Sequence, residues 1–187
     1  MPAGTMAKAF AELMRGLGYE RYGAHGSDWG SRVARELSLL DAEHVFGIHV
    51  VMMLSSMLPQ DKSELQHLSG EEQRRVQRQE HFRTDQMGYG MIQSTRPQTL
   101  AYGLTDSPVA QLSWIVEKFK EFTDSKGLPE DAVDVFPRDI SIAIRRFAER
   151  GNNIVHWSES DRGGHFPAME ESDLLIGDLR TFFRRFR

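Results

Sequence analysis

The 187-residue chain contains no cysteine. Disulfides, thiolate zinc centres and cysteine nucleophiles are thereby excluded. Neither sign of charge dominates, since 23 basic residues face 27 acidic ones for a net charge of −4. Nucleic-acid binding relies on clustered Lys and Arg, and the one basic cluster here is the short group Arg184, Arg185 and Arg187. No nucleic-acid partner is expected. No apolar run approaches the ~20 residues of a membrane-spanning helix. The first ten residues, MPAGTMAKAF, lack the charged and apolar regions of a signal peptide. These absences give the expectation of a cytoplasmic protein with no membrane partner. What is present is ordinary: 40% apolar and 27% charged residues, the composition of a folded globular domain.

Helical and strand signals alternate at both ends of the chain. Met6, Phe10, Leu13, Met14 and Leu17 form an apolar stripe at helical spacing, and Gly18 stands where a helix C-cap glycine belongs. A short β-like run, Arg21 to His25, leads into Gly26-Ser27-Asp28-Trp29-Gly30, and Val33, Leu37 and Leu40 then mark a second helix. The run HVFGIHVVMM, His44 to Met53, reads as a strand buried on both faces of a parallel sheet. Strand, glycine turn, helix and buried strand together predict an α/β fold.

From about Pro59 to Phe122 the rhythm changes. Ser69 and Glu72 have capping-box spacing at the start of a very polar helix, and Gly88-Tyr89-Gly90 interrupts the next helical pattern. Ser107-Pro108 opens another helix, predicted to turn Leu112, Ile115, Val116, Phe119 and Phe122 inward. This mostly helical stretch reads as a lid. The α/β pattern then resumes with AVDVF (132–136) as a strand, a helix over 138–150, NNIVHW (152–157) as a strand, and a final helix from Asp173 to Phe186.

Two residues carry the chemical signal. Gly26-x-Asp28-x-Gly30, between a strand and a helix, has the context of a nucleophile elbow with Asp in the central place. A carboxylate there can attack carbon directly and form a covalent ester. The same residues also read as an ordinary strand-to-helix turn with Asp28 as N-cap. His165, in RGGHFPAMEE, follows the nucleophile in chain order as a triad histidine does in such a fold. It also reads as a loop histidine capping the final helix. His44 and His49 face opposite sides of their strand and make poor co-ligands, so neither a metal nor a cofactor is expected.

Four blocks together resemble the microsomal-type epoxide hydrolases of the α/β-hydrolase superfamily. They are the segment Arg21–Ser31, the passage Arg96–Phe119, FPRDI at Phe136–Ile140, and RGGHFPAMEE. The resemblance implies a partial α/β-hydrolase fold: half a parallel sheet flanked by helices, with core segments 1–58 and 123–187 and a helical lid over 59–122. It implies water addition to an epoxide, giving a diol. Asp28 would open the ring and Tyr89, in MGYGMIQSTRP, would protonate the epoxide oxygen. His165 would activate the hydrolytic water with Asp139 behind it, and the Trp29 backbone N–H would donate to the oxyanion. The partner would be a small apolar epoxide.

The resembled enzymes also carry strands one to four and a His-Gly-x-Pro oxyanion segment ahead of this region, and a second lid tyrosine where this chain has TDSKGLPED. These differences predict an exposed edge on the strand before Asp28 and a homo-oligomer. They leave a catalytically inactive, truncated hydrolase remnant as one alternative, and haloalkane dehalogenation, which uses the same Asp-Trp pair and histidine, as another.

Overall fold

A computed structural model describes residues 2–52, 61–122 and 143–187. Those residues fall into two compact units. One takes the chain through Asp61 with Ala143–Glu159 and Phe166–Arg187; the other takes Lys62 through Phe122 with Ser160–His165.

The first unit is built on two parallel strands, β1 (Tyr22–Gly26) and β2 (Val45–Val50), paired from Gly23↔Gly47 to Gly26↔Val50. Helix α1 (Ala3–Gly16) precedes β1, and α2 (Trp29–Leu40) connects the strands. Helix α1 ends as the sequence predicts. Gly18, at φ +78°, donates to Arg15 O and Tyr19 donates to Met14 O, the paired bonds of a Schellman motif. On one face of the sheet, Ala7, Ala11, Tyr22, Val33, Leu37 and Val45 form the core, with Met6, Met14, Ala24 and Ile48 against them. The inward face of α1 is therefore its alanine face. Phe10, Leu13 and Leu17, members of the predicted apolar stripe, are 50, 52 and 61% exposed. Small side chains let α1 approach its neighbours closely, with Met6 and Met14 of the stripe at the edge of the core and Phe10, Leu13 and Leu17 left outside it.

The opposite face of the sheet is covered by α9 (Ser172–Phe183) and the 3₁₀ turn Arg184–Phe186. A Cβ on Gly23 would lie 2.3 Å from the Phe183 ring, and Phe46 meets Phe183 edge to face and Phe186 at a tilt. Helices on both faces of a parallel pair make this unit α/β. Helix α7 (Arg145–Ala148) is shorter than the predicted 138–150, of which 138–142 lie outside the described residues. Residues 152–157, predicted as strand, form no ladder among the described residues. A strand persists only through a neighbour's backbone, and the expected neighbour at 132–136 lies outside the described residues. Side chains hold the segment instead: Arg185 donates to Val155 O at 2.6 Å, and His156 binds Asp178.

The second unit is helical. Helix α3 (Gly70–His81) opens with the predicted capping box. Ser69 accepts from the Glu72 amide while Glu72 accepts from the Ser69 amide, and no residue of the helix is buried. Gly88-Tyr89-Gly90 does not interrupt a helix as predicted: the break comes earlier, at the π turn Phe82–Gln86, and these three residues open a new helix α4 (Gly88–Thr95). Helices α5 (Pro97–Asp106) and α6 (Pro108–Phe122) follow, and Ser107 Oγ caps α6 at the Ala110 amide. Helix α6 is rotated from its predicted setting. Leu112, Ile115 and Phe119 are exposed, while Lys118 is covered because two carboxylates and an aromatic face neutralise and shelter its charge. Helix α8 (Pro167–Glu170) lies between His165 and α9. Among the described residues no helix is long and apolar enough to cross a membrane.

Candidate active site

Asp28 sits where β1 turns into α2 with φ +46° and ψ −124°; among the described residues it is the one non-glycine residue at positive φ. Such a conformation costs about 1–3 kcal/mol and persists only where its surroundings enforce it. The enforcement is visible. A Cβ on Gly26 would lie 2.2 Å from both C and O of Gly30, so only glycine allows the chain to fold back this tightly. The Gly26 carbonyl accepts from Val51 N–H at 3.1 Å and from the buried Ser31 hydroxyl at 2.9 Å. Ser31 Oγ in turn accepts from Met52 N–H at 3.4 Å. Helix α2 and the end of β2 thus clamp the turn from both sides.

The reading of Asp28 as a plain N-cap fails, because its side chain makes no capping bond to α2. The half-buried carboxylate stands at the positive end of α2, which favours its ionised form. Trp29 begins α2, its ring 58% exposed with Arg32 stacked on it at 5.3 Å.

In the helical unit, three predicted or adjacent aromatic groups come together. The Phe122 ring lies 5.8 Å from Tyr89, edge to face, and 5.2 Å from the imidazole of His165. Tyr89, in the first turn of α4, and His165, in the loop after Gly163 (φ +97°) and buried Gly164, therefore flank one phenylalanine. His165 is not a helix cap: the N-cap of α9 is Glu171, and α8 stands between. Asp139 lies outside the described residues.

No protein-family model matches the chain. Individual proteins do. A Stigmatella aurantiaca protein provisionally named an epoxide hydrolase is 37% identical, covering 97% of this chain and 51% of that one. Juvenile hormone epoxide hydrolase 2 of Ctenocephalides felis is 33% identical over 98% of this chain and 54% of its own. The structure of Aspergillus niger epoxide hydrolase superposes with a TM-score of 0.81 at 27% identity, over 96% of this chain and 56% of that one. The chain is a partial α/β-hydrolase fold related to epoxide hydrolases. It spans about half the length of the curated relatives it matches. The fold is also that of the juvenile hormone epoxide hydrolase from the silkworm Bombyx mori, at a TM-score of 0.82 and 20% identity.

Two groups in this epoxide hydrolase relative carry chemistry that residue-by-residue reading missed. In the α/β unit, Asp178 on α9 accepts from His49 Nε2 at 2.8 Å, His156 Nε2 at 2.5 Å and Ser158 Oγ at 2.8 Å. His49 Nδ1 meets His25 Nδ1 at 3.0 Å across the β1–β2 pair. Burial pushes the Asp178 carboxyl up, but bonds from His156, His49 and Ser158 outweigh it and hold the pKa below the usual carboxylate value. Burial and the neighbouring His49 lower His25. The signal was an acid placed on the apolar stripe of DLLIGDLRTFF, between Leu174 and Phe182 at helical spacing. In the helical unit the missed residue is Lys118, whose Nζ lies 4.7 Å from the Tyr89 ring centre and 5.9 Å from that of Phe122.

Proposed function

We propose that this chain carries out epoxide hydrolysis through a covalent ester on Asp28. An Asp28 carboxylate oxygen attacks the less hindered epoxide carbon as the ring C–O bond breaks, and the Tyr89 phenol gives its proton to the departing oxygen. Neutral His165 then takes a proton from water, and the hydroxide adds to the Asp28 carboxyl carbon. Collapse of the adduct releases the diol, restores the carboxylate with one solvent oxygen in it, and leaves a proton on His165 that returns to the Tyr89 phenolate through solvent. In this reading Asp139 orients His165, the Trp29 amide donates to the oxyanion, and residues 59–122 act as the lid. The substrate is a small apolar epoxide and the compartment the cytoplasm.

The observation that carries the reading is Asp28 held at positive φ on a turn that admits only glycine at position 26. A single turnover of styrene oxide in ¹⁸O-water tests it: mass spectrometry of the Asp28 peptide finds one label, and Asp28→Asn neither takes up label nor forms diol. An unlabelled carboxylate after long incubation favours the inactive-hydrolase alternative. Chloride release from a haloalkane without diol formation favours the dehalogenase alternative; Tyr89, a proton donor, argues for the epoxide. The exposed Phe10, Leu13 and Leu17 on α1 support a homo-oligomer, and light scattering that returns a monomer mass overturns that part.

A further inference from the structure

Lys118 is half-buried with a charge that the chain goes to some length to keep. Its side chain is 16% exposed, with Glu117 Oε1 at 3.0 Å and Glu121 in closer contact on the same helix. Burial alone would lower its pKa, but the two carboxylates outweigh it and hold the ammonium above its ordinary value. Yet the ammonium does more than pair with its neighbours on α6: it lies over the face of the half-buried Tyr89 ring on α4, with Phe122 completing the contact.

We propose that Lys118 is a positioning residue that sets the acidity of the Tyr89 phenol. The proposal rests on the reading of Tyr89 as the proton donor to the epoxide. A phenolate spreads part of its negative charge into the ring carbons, so a cation over the ring face stabilises the anion more than the neutral phenol. When the Tyr89 O–H bond breaks and its proton passes to the epoxide oxygen, the charge left on the phenolate is countered by the ammonium until a proton returns. Among the described residues, His165 lies across Phe122 from Tyr89, and Asp85 and Arg83 precede it in the chain, both exposed with Arg83 paired to Glu80. A cation at this range lowers a neighbouring acid by about 1–3 pKa units. Glu117 and Glu121 oppose part of that field, which places the expected effect near the lower end.

The test is ¹³C NMR of the full chain labelled at tyrosine Cζ, titrated through alkaline pH. Four tyrosines give four resonances, Tyr89→Phe assigns one, and Tyr22 stands apart because burial and the Asp41 carboxylate push it up to about 12. Lys118→Met is expected to raise the Tyr89 midpoint by about one unit, with Lys118→Arg leaving it in place. If the methionine variant does not fold, Lys118→Gln carries the same test, since it keeps a donor for Glu121 without the charge. An unmoved Tyr89 midpoint in the folded uncharged variant overturns the proposal. The readout needs no turnover. A raised midpoint with no oxygen label on Asp28 therefore refutes the hydrolase reading and leaves the coupling standing, while label with an unmoved midpoint refutes the role of Lys118 alone.

Discussion

Replacing Asp178 with alanine removes the one carboxylate on which two histidines and a serine converge. Three hydrogen bonds to a charged group are lost, each typically worth about 1.5–3 kcal/mol in isolation. They do not add in full. Ser158 is exposed, the Asp178 side chain is itself 24% exposed, and water replaces part of what is lost at both. His49 is different: only 7% exposed, it keeps a buried Nε2–H with no acceptor from Asp178, which costs about 1–3 kcal/mol. The sum expected is about 3 kcal/mol, near the upper end of ordinary single substitutions. For a protein of this size that is a fall in melting temperature of roughly 6–12 °C.

The dependence on pH provides the sharper check. The folded pKa of Asp178 lies below its unfolded value, so its stabilisation is complete above the unfolded pKa of about 3.9 and is lost as pH falls through the folded value. The gap between wild type and Asp178→Ala should stay level from pH 7 to about 5 and close below about pH 4. Melting followed by circular dichroism at a series of pH values measures both. Melting temperatures within a degree of each other at pH 7, or a gap that does not begin to narrow as pH falls below about 4, would show that the cluster does not hold α9 to the sheet in the way its geometry indicates.

Two further outcomes concern the elbow. Gly26→Ala drives a Cβ into the Gly30 backbone at 2.2 Å and is expected to destabilise by about 4 kcal/mol or more, or to prevent folding, as read from urea midpoints and soluble yield. Asp28→Gly releases the strain at φ +46° and is expected to raise stability by about 1 kcal/mol while abolishing epoxide turnover; a variant no more stable than wild type would show that the turn is not strained.

The α/β unit was legible where its signals are local. The elbow needs two glycines, a strand and a helix within a short span, and each is written in adjacent residues. The capping box at Ser69 and Glu72 and the end of α1 at Gly18 are local in the same sense. Facing was harder to read. In α1 the stripe was read from the large apolar residues alone, because hydrophobicity favours them over alanine. The structure chose the alanines, because close approach of α1 to its neighbours depends on shape rather than on transfer free energy. In α6 the error has an electrostatic origin. A lysine counts against burial until its partners are known, and Glu117, Glu121 and the Tyr89 face are what make Lys118 an inward residue. The Asp178 cluster drew its members from β1, β2, the segment after α7 and α9, so no window of sequence held more than a fragment of it.

The clamp on Asp28 also bears on how a chain of this span could hold a nucleophile in place. The strained turn is fixed by the approach of Gly26 to Gly30, the Ser31 hydroxyl on the Gly26 carbonyl, and two amides at the end of β2. Every one of these groups lies between residues 26 and 52. These contacts fix the backbone of the turn that carries Asp28 from within the β1–α2–β2 unit. A proton donor has no comparable local device. In the proposed reading the acidity of Tyr89 rests on Lys118 of α6, so the donor, unlike the turn, depends on the packing of one helix against another within the helical unit.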